Sequence, residues 1–173
     1  MIRFLYLLVF LLGMSTTMMA QDSVPEARWE SRADYKASEK LVMQYMRDIE
    51  KDPVSDLENR EKLDYVIRWI LGCPYVALKL RNRYFERILT DEDYHFADYT
   101  AYTLLFGEVL YYLENPFDRD RTNAFRSGVY YSMDVYKKLK SHDNSTTCET
   151  FELFIRLDEN NTLNKFIVLD DSK

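Results

Sequence analysis

The sequence has few of the residues that build common reaction centres. Among its 173 residues are 4 glycines, 4 prolines, 2 cysteines and 2 histidines. No segment resembles a glycine-rich phosphate loop, and no serine lies in the sharp turn of a hydrolase nucleophile. His95 and His142 are not spaced for zinc with each other or with a cysteine, and no His-Glu-x-x-His motif occurs. We therefore predict no cofactor, no metal site and no catalytic residues.

A strong basic excess is also absent. The chain has 23 lysines and arginines against 29 aspartates and glutamates, which gives a net charge of −6. An acidic protein is repelled by the phosphates of nucleic acids and by anionic membranes. The expected partner is an unidentified protein or small ligand, and not a nucleic acid.

The two cysteines, Cys73 and Cys148, leave two interpretations open. In an oxidising compartment they could form a disulfide, which would stabilise the fold by about 4 kcal/mol because it closes a long loop. Alternatively, they are two buried thiols that never meet, since a bridge needs a Cα separation that sequence spacing does not fix. Cys73 lies in a predicted turn and Cys148 at a predicted helix start, and both are better disulfide candidates than members of a nucleophilic Cys–His pair.

The N-terminus has the pattern of a signal peptide. A basic start at Arg3 precedes the apolar run Phe4 to Leu12, and small residues lead to Ala20. This pattern predicts cleavage after Ala20 and export to a periplasmic or extracellular location. Loss of Arg3 takes the net charge from −6 to −7. No cysteine near the cleavage site could carry a lipid, so we expect no stable membrane anchor after cleavage. The alternative is an uncleaved N-terminal anchor.

Three regions follow from this pattern: a signal peptide over residues 1–20, a loose N-terminal lead over 21–31 and a single helical domain over 32–170. A domain of this size can bury about 68–70% of its unfolded surface, which is enough for a substantial core.

The stretch Tyr99 to Leu113 is the most informative part of that domain. It contains one charge, Glu108, and its second half is apolar on almost every side. A helix apolar all round is buried, and this run is too short to span a bilayer. The sequence therefore predicts an all-α fold: an irregular bundle of about six helices around a buried central helix over about 94–114.

Proline and glycine mark several helix ends. Helices are predicted to stop at Asp52-Pro53, at Gly72-Cys73-Pro74 and at Asn115-Pro116. The segments 75–81 and 162–170 could each form a helix or a strand. No further stop signal lies between residues 55 and 71. Ser55-Asp-Leu-Glu58 resembles a capping box, so one helix is predicted across that range.

A stripe of small residues recurs every fourth position at Ala124, Gly128 and Ser132. Such a stripe would allow another helix to approach closely, with Gly107 as its counterpart. The alternative is that Gly128 weakens an exposed helix by about 1 kcal/mol.

Glu108 is the candidate for a buried polar group, because an unpaired carboxylate inside a core costs several kcal/mol. Its predicted partner is Arg68, in an equally apolar helix, with Arg126 as the second candidate. The other interpretations are a solvated helix edge and a functional carboxylate in a pocket.

Two adjacent tyrosine pairs, Tyr111-Tyr112 and Tyr130-Tyr131, form a candidate aromatic surface. In each pair one ring at most can point directly into the core, so the other could line a groove. The alternative is that all four rings fill a wide core.

The leader and the helical, tyrosine-rich pattern together resemble small exported bacterial all-helical proteins of unassigned activity. The resemblance has no specific motif and implies no functional residue. The leading prediction is a non-catalytic protein-interaction or binding module. The alternative is a small-molecule binding bundle with Glu108 and Arg68 in a pocket, and an enzyme is a distant third.

Overall fold

A computed structural model describes residues 24–57, 60–76, 78, 82–118, 120–145 and 147–171. Within these ranges the chain is all-α, with eight helices and no β-strand. The predicted fold class is therefore confirmed. The helices are α1 Arg32–Lys51, α2 Pro53–Leu57, α3 Glu61–Gly72, α4 Asn82–Leu89, α5 Ala97–Glu114, α6 Arg121–His142, α7 Glu149–Glu159 and α8 Leu163–Asp171. The predicted signal peptide lies outside these residues.

Local signals explain where most helices begin and end. Ser31 and Asp34 form a reciprocal capping box at the start of α1, and α1 ends at Lys51, followed by Asp52 and Pro53. The one helix predicted from Ser55 onward is wrong, because α2 ends at Leu57 and Arg60 precedes α3 with a left-handed φ of 53°. The C-terminal segment is helical, and with α2 it accounts for more helices than expected.

The central helix α5 is buried as predicted. Eleven of its eighteen residues are buried, in the stretch from Tyr99 to Leu110. The helix begins at Ala97 and not at Tyr94, because the preceding residues form turns. In these turns the Tyr94 amide donates to the Asp91 carbonyl at 3.1 Å, and the Ala97 amide donates to the Tyr94 carbonyl at 3.1 Å.

Helix α5 packs most extensively against α6, and the two backbones touch at two glycines. A Cβ on Gly128 would lie 2.4 Å from the Leu104 carbonyl oxygen, and a Cβ on Gly107 would lie 2.7 Å from the Gly128 Cα. Ala124 and Ser132 are also fully buried. The small-residue stripe is therefore the contact surface of α6, with Gly107 opposite.

This helix pair separates two hydrophobic cores. The first core packs one side of α5 and α6 against α1 and α3, around Met46 and Trp69. The second core packs the other side against α4, α7 and α8, around Phe151 and Phe154. Ahead of α1, the Trp29 ring packs at a tilt against Tyr35 and edge to face against Tyr65, with centroid distances of 5.5 and 4.9 Å.

Of the two interpretations of the cysteines, the structure supports the two buried thiols, and the candidate disulfide does not form. Cys73 and Cys148 are both free and buried. Cys73 belongs to the first core and Cys148 to the second, so the helix pair lies between the two cores that hold the thiols. Burial raises the pKa of the Cys148 thiol to about 11.

Candidate functional site

The four candidate tyrosines occupy different environments at one end of α5 and α6. Tyr131 is a core residue, 4% exposed, whose hydroxyl donates to the Met46 carbonyl. Tyr130 is 38% exposed and its hydroxyl donates to Asp158 Oδ1 at 2.9 Å. Tyr111 and Tyr112 are half-buried and pack edge to face, with ring centroids 6.0 Å apart.

Three of these tyrosines line one open groove between α1, α5 and α6, with a volume of about 590 Å³. We call it the tyrosine groove. Helix α1 supplies two charged side chains. Helix α5 supplies an apolar, an aromatic and an acidic side chain, and α6 supplies polar, basic and aromatic side chains. Its lining residues are Arg47, Glu50, Leu110, Tyr111, Glu114, Asn123, Arg126, Ser127, Tyr130 and Tyr131.

One charge pair in the tyrosine groove is already satisfied. Arg47 of α1 forms an ion pair with Glu114 at the end of α5. Both side chains are substantially exposed to solvent, so this pair contributes little to stability. It joins the two helices at the rim and neutralises that part of the wall.

The other two charges of the groove form no ion pair with a described residue. Arg126 donates from Nη1 to Asn123 Oδ1 at 2.9 Å, and its Nε is buried without a hydrogen bond. No described carboxylate forms an ion pair with Arg126. The Glu50 carboxylate is half-buried, and its pKa is raised first by burial and then by the nearby Asp134. The charges of Lys138 and Arg47 act in the opposite direction on this pKa, but Lys138 Nζ bonds the Glu50 backbone carbonyl and Asp134, and Arg47 pairs with Glu114.

The predicted Glu108–Arg68 pair does not form. Glu108 is buried as expected, 6% exposed, and its Cγ would lie 3.0 Å from a Cβ on Gly128. Arg68 is exposed, and its Nε donates to the Asp64 carbonyl one turn earlier in α3. Sequence spacing placed both residues in apolar helices, but it did not fix which side of α3 faces α5.

Both histidines lie close enough to Asp143 to influence it. His142 and Asp143 line a separate cavity of about 450 Å³ with Val54 and Phe96 among its walls. Hydrogen bonds from Ser145 lower the pKa of Asp143, and His95 and His142 lower it further. The Ser145 hydroxyl donates to Asp143 at 2.6 Å and not to a histidine, which is a turn arrangement and not that of an activated serine.

Sequence analysis missed one buried acid. Asp56 is 8% exposed and accepts a hydrogen bond of 3.1 Å from the Tyr99 hydroxyl. Its position after Pro53 indicated a helix start, where acids are common. Tyr99 lies on the central helix, so only the three-dimensional contact distinguishes Asp56 from its acidic neighbours.

No family model, no curated protein and no solved structure matches this chain. Over the residues that the structure describes, no three His, Cys, Asp or Glu side chains come together as metal ligands. In the same residues, no helix has both the length and the apolar character that crossing a bilayer requires.

Proposed function

We propose that the protein is a non-catalytic binding module, and that the tyrosine groove receives a segment of a partner polypeptide. Tyrosine offers a large apolar body with a polar tip, and tyrosine and arginine are enriched among residues that dominate binding energy. The groove presents Tyr111 and Tyr130 beside Arg126. The open shape suits a polypeptide segment better than an enclosed small molecule.

The state of Arg126 is the observation that carries this proposal. A buried donor left without a partner costs about 1–3 kcal/mol, and the Arg126 Nε has none. No described acid neutralises its charge. Arg126 as a whole is half-buried and lines the groove, so a carboxylate of a partner in the groove would neutralise a charge that no described acid pairs with.

The small-molecule alternative has less support. It needed a pocket with Glu108 and Arg68 in its wall. Neither residue lines the tyrosine groove, the cavity beside His142 or the cavities beside Lys62 and Arg156. Glu108 instead packs beside Gly128, where α5 and α6 touch.

We also propose an exported location, which rests on the sequence of the predicted signal peptide. The two buried thiols are compatible with an oxidising compartment because neither is accessible to oxidants or to other thiols. N-terminal sequencing of protein recovered from the periplasm or the culture fluid is expected to begin at Gln21. A chain that retains Met1 in the cytoplasm would contradict this proposal.

Selection from a phage-displayed library of random peptides tests the binding function. Peptides enriched on the wild-type protein should lose about tenfold or more in binding to a Tyr130→Ala variant, as expected for an aromatic anchor. Val168→Ala on α8, where Val168 is 50% exposed, is the matched control and should bind as wild type does.

Thermal melting must show that both variants are folded. Failure to enrich any peptide over an unrelated helical protein would contradict the proposed function. Equal binding to wild type and Tyr130→Ala would remove the groove as its site.

A further inference from the structure

We infer that the segment received by the tyrosine groove carries two opposite charges four residues apart, with its acidic residue on Arg126 and its basic residue on Glu50. This inference rests on the proposed function and specifies the chemistry of the partner.

The groove contains one charge of each sign that forms no ion pair with a described residue. Arg47 and Glu114 satisfy one another, and Lys138 binds Asp134. Arg126 has an amide oxygen as its hydrogen-bond acceptor and no ion pair with a described residue. Within the described ranges the Glu50 carboxylate accepts no hydrogen bond, although it lines the groove.

The distance between these two charges follows from their positions along α6. Arg126, Tyr130 and Asp134 follow one another at intervals of four residues, so they lie along one side of α6. Glu50 lies beside the turn of α6 that holds Asp134, because Lys138 Nζ is 2.5 Å from the Glu50 carbonyl oxygen and 2.5 Å from Asp134 Oδ2, and the charge of Asp134 also raises the pKa of the Glu50 carboxyl. Eight helical residues at 1.5 Å each therefore separate Arg126 from Glu50 by about 12 Å along the groove.

This distance corresponds to a defined spacing of residues in an extended segment. An extended segment rises about 3.3 Å per residue, so 12 Å corresponds to about four residues. Side chains four residues apart in an extended chain point to the same side. A partner with opposite charges at positions i and i+4 can therefore reach both groups at once.

Tyr130 lies between the two charges and completes the pattern. The partner residue at i+2 points to the same side as the charged residues and meets the exposed Tyr130 ring. An apolar or aromatic residue there would pack on the ring. The expected pattern is thus a charge, an apolar residue two positions later and the opposite charge two positions after that.

The peptide library used for the binding function also tests this inference, through sequencing of the selected peptides. Wild type should enrich opposite charges at i and i+4. A Glu50→Gln variant should lose the preference for the basic residue, and Arg126→Gln should lose the preference for the acidic residue. Each loss should be roughly fivefold, the value of a solvent-accessible ion pair of about 1 kcal/mol.

Three further variants make the readout specific. Arg68→Gln changes an exposed arginine outside the groove and should leave the selected pattern unchanged. Arg126→Lys keeps the charge and should keep the preference for an acidic residue. The double variant Glu50→Lys with Arg126→Glu exchanges the two charges of the groove. It should still enrich opposite charges at i and i+4. Most of the peptides that the wild type selects in one orientation should no longer bind to it.

The outcomes separate this inference from the proposed function. Peptides that depend on Tyr130 but lack the paired charges would overturn the inference and leave the groove as a peptide site. A charge preference that persists in Glu50→Gln and Arg126→Gln would also overturn it. If no enriched peptide depends on Tyr130, the proposed function itself fails.

Discussion

Asp56 is a buried carboxylate held by a single tyrosine. Burial raises its pKa above the ordinary 3.8, while the hydrogen bond from Tyr99 and the charge of Lys62 act in the opposite direction. Arg60 and Asp64 also face this group, with opposite effects on its pKa. The net effect favours the protonated form, so the folded protein binds a proton here more tightly than the unfolded chain does.

We predict that Asp56→Asn stabilises the protein at neutral pH. The stability that a raised folded-state pKa contributes is fully present below pH 3.8 and is lost as pH rises through the folded-state pKa. Asparagine removes the ionisation and can still accept the Tyr99 hydrogen bond. The melting temperature of the variant should therefore exceed that of the wild type at pH 7 and differ little from it at pH 3.

Asp34→Asn is the matched control, and its effect on stability at pH 7 should have the opposite sign. Hydrogen bonds from the Ser31 hydroxyl and backbone lower the pKa of Asp34 at the start of α1. Asp34→Asn should therefore destabilise at pH 7, with a smaller effect below pH 3.8. If Asp56→Asn shifted the melting temperature equally at pH 3 and pH 7, burial of an ionisable group would not be the cause.

At this scale, sequence identified buried residues better than their partners. The burial of Glu108 followed from the apolar run around it. The partner assigned to it, Arg68, is exposed, because helical periodicity defines a face of α3 but not what that face meets. Asp56 was missed since its burial depends on Tyr99, which lies far along the chain.

The contact between α5 and α6 depends on two glycines. A Cβ on Gly128 would lie 2.4 Å from the Leu104 carbonyl oxygen, and a Cβ on Gly107 would lie 2.6 Å from the Ser127 carbonyl oxygen. Both neighbours are backbone atoms of a packed helix, which do not move without displacing the whole helix. Close contact of this kind leaves no space for a methyl group.

We predict that Gly107→Ala and Gly128→Ala each destabilise the fold by about 1–3 kcal/mol, the usual effect of overpacking. This loss should exceed the gain of up to about 1 kcal/mol that alanine brings to a helix. Denaturant titration of each variant gives the free energy of unfolding. A neutral or stabilising effect of Gly128→Ala would show that the helices do not meet as described.

Gly72 provides the matched control for this experiment. A Cβ there would lie 2.0 Å from the Tyr35 hydroxyl oxygen, which is the end of a flexible side chain and can move aside. Gly72 is also exposed near the end of α3. Gly72→Ala should therefore change the free energy of unfolding less than either substitution between α5 and α6.

Elements were predicted best where local chemistry decides them. The stops after Lys51, Gly72 and Glu114 follow from proline and glycine signals, and the structure confirms them. The division between α2 and α3 was missed because a left-handed Arg60 has no clear sequence signal. Part of the ambiguous segment 75–81 lies outside the described residues, whereas the segment beginning at Leu163 is helical.

On the scale of the whole molecule, the two cores keep the thiols apart. Cys73 is 8% exposed and Cys148 is fully buried. A buried thiol with a pKa of about 11, as at Cys148, is almost entirely protonated at neutral pH and reacts slowly. The contribution of about 4 kcal/mol expected from a long-loop disulfide is therefore missing from this fold.

We predict that a reducing agent leaves the melting temperature unchanged. A thiol reagent such as dithionitrobenzoate should label neither cysteine quickly in the native protein and both in guanidinium chloride. Cys148→Ser should still fold, and labelling should then find one thiol after unfolding. Two results would contradict the separation of the cores: a melting temperature that falls on reduction, or unfolded protein in which the reagent labels neither cysteine.

Sequence alone could not decide the disulfide, because the number of cysteines and their compartment say nothing about distance in the fold. The arrangement of two cores also had no sequence signal. Each of α5 and α6 supplies side chains to both cores, such as Phe106 and Leu104 from α5. Periodicity shows how much of a helix is buried, but not how its buried side is divided.

Because α5 and α6 serve both cores, neither half of the chain is self-sufficient. If the chain were cut in the loop at residues 143–145, the longer fragment would expose Met133 and Tyr136 on α6. The shorter fragment would expose Phe151 and Phe154 on α7. Mixing the fragments would bury both faces again. This loop is therefore the natural place to divide the protein into two complementing fragments, whose association would serve as a reporter of their proximity.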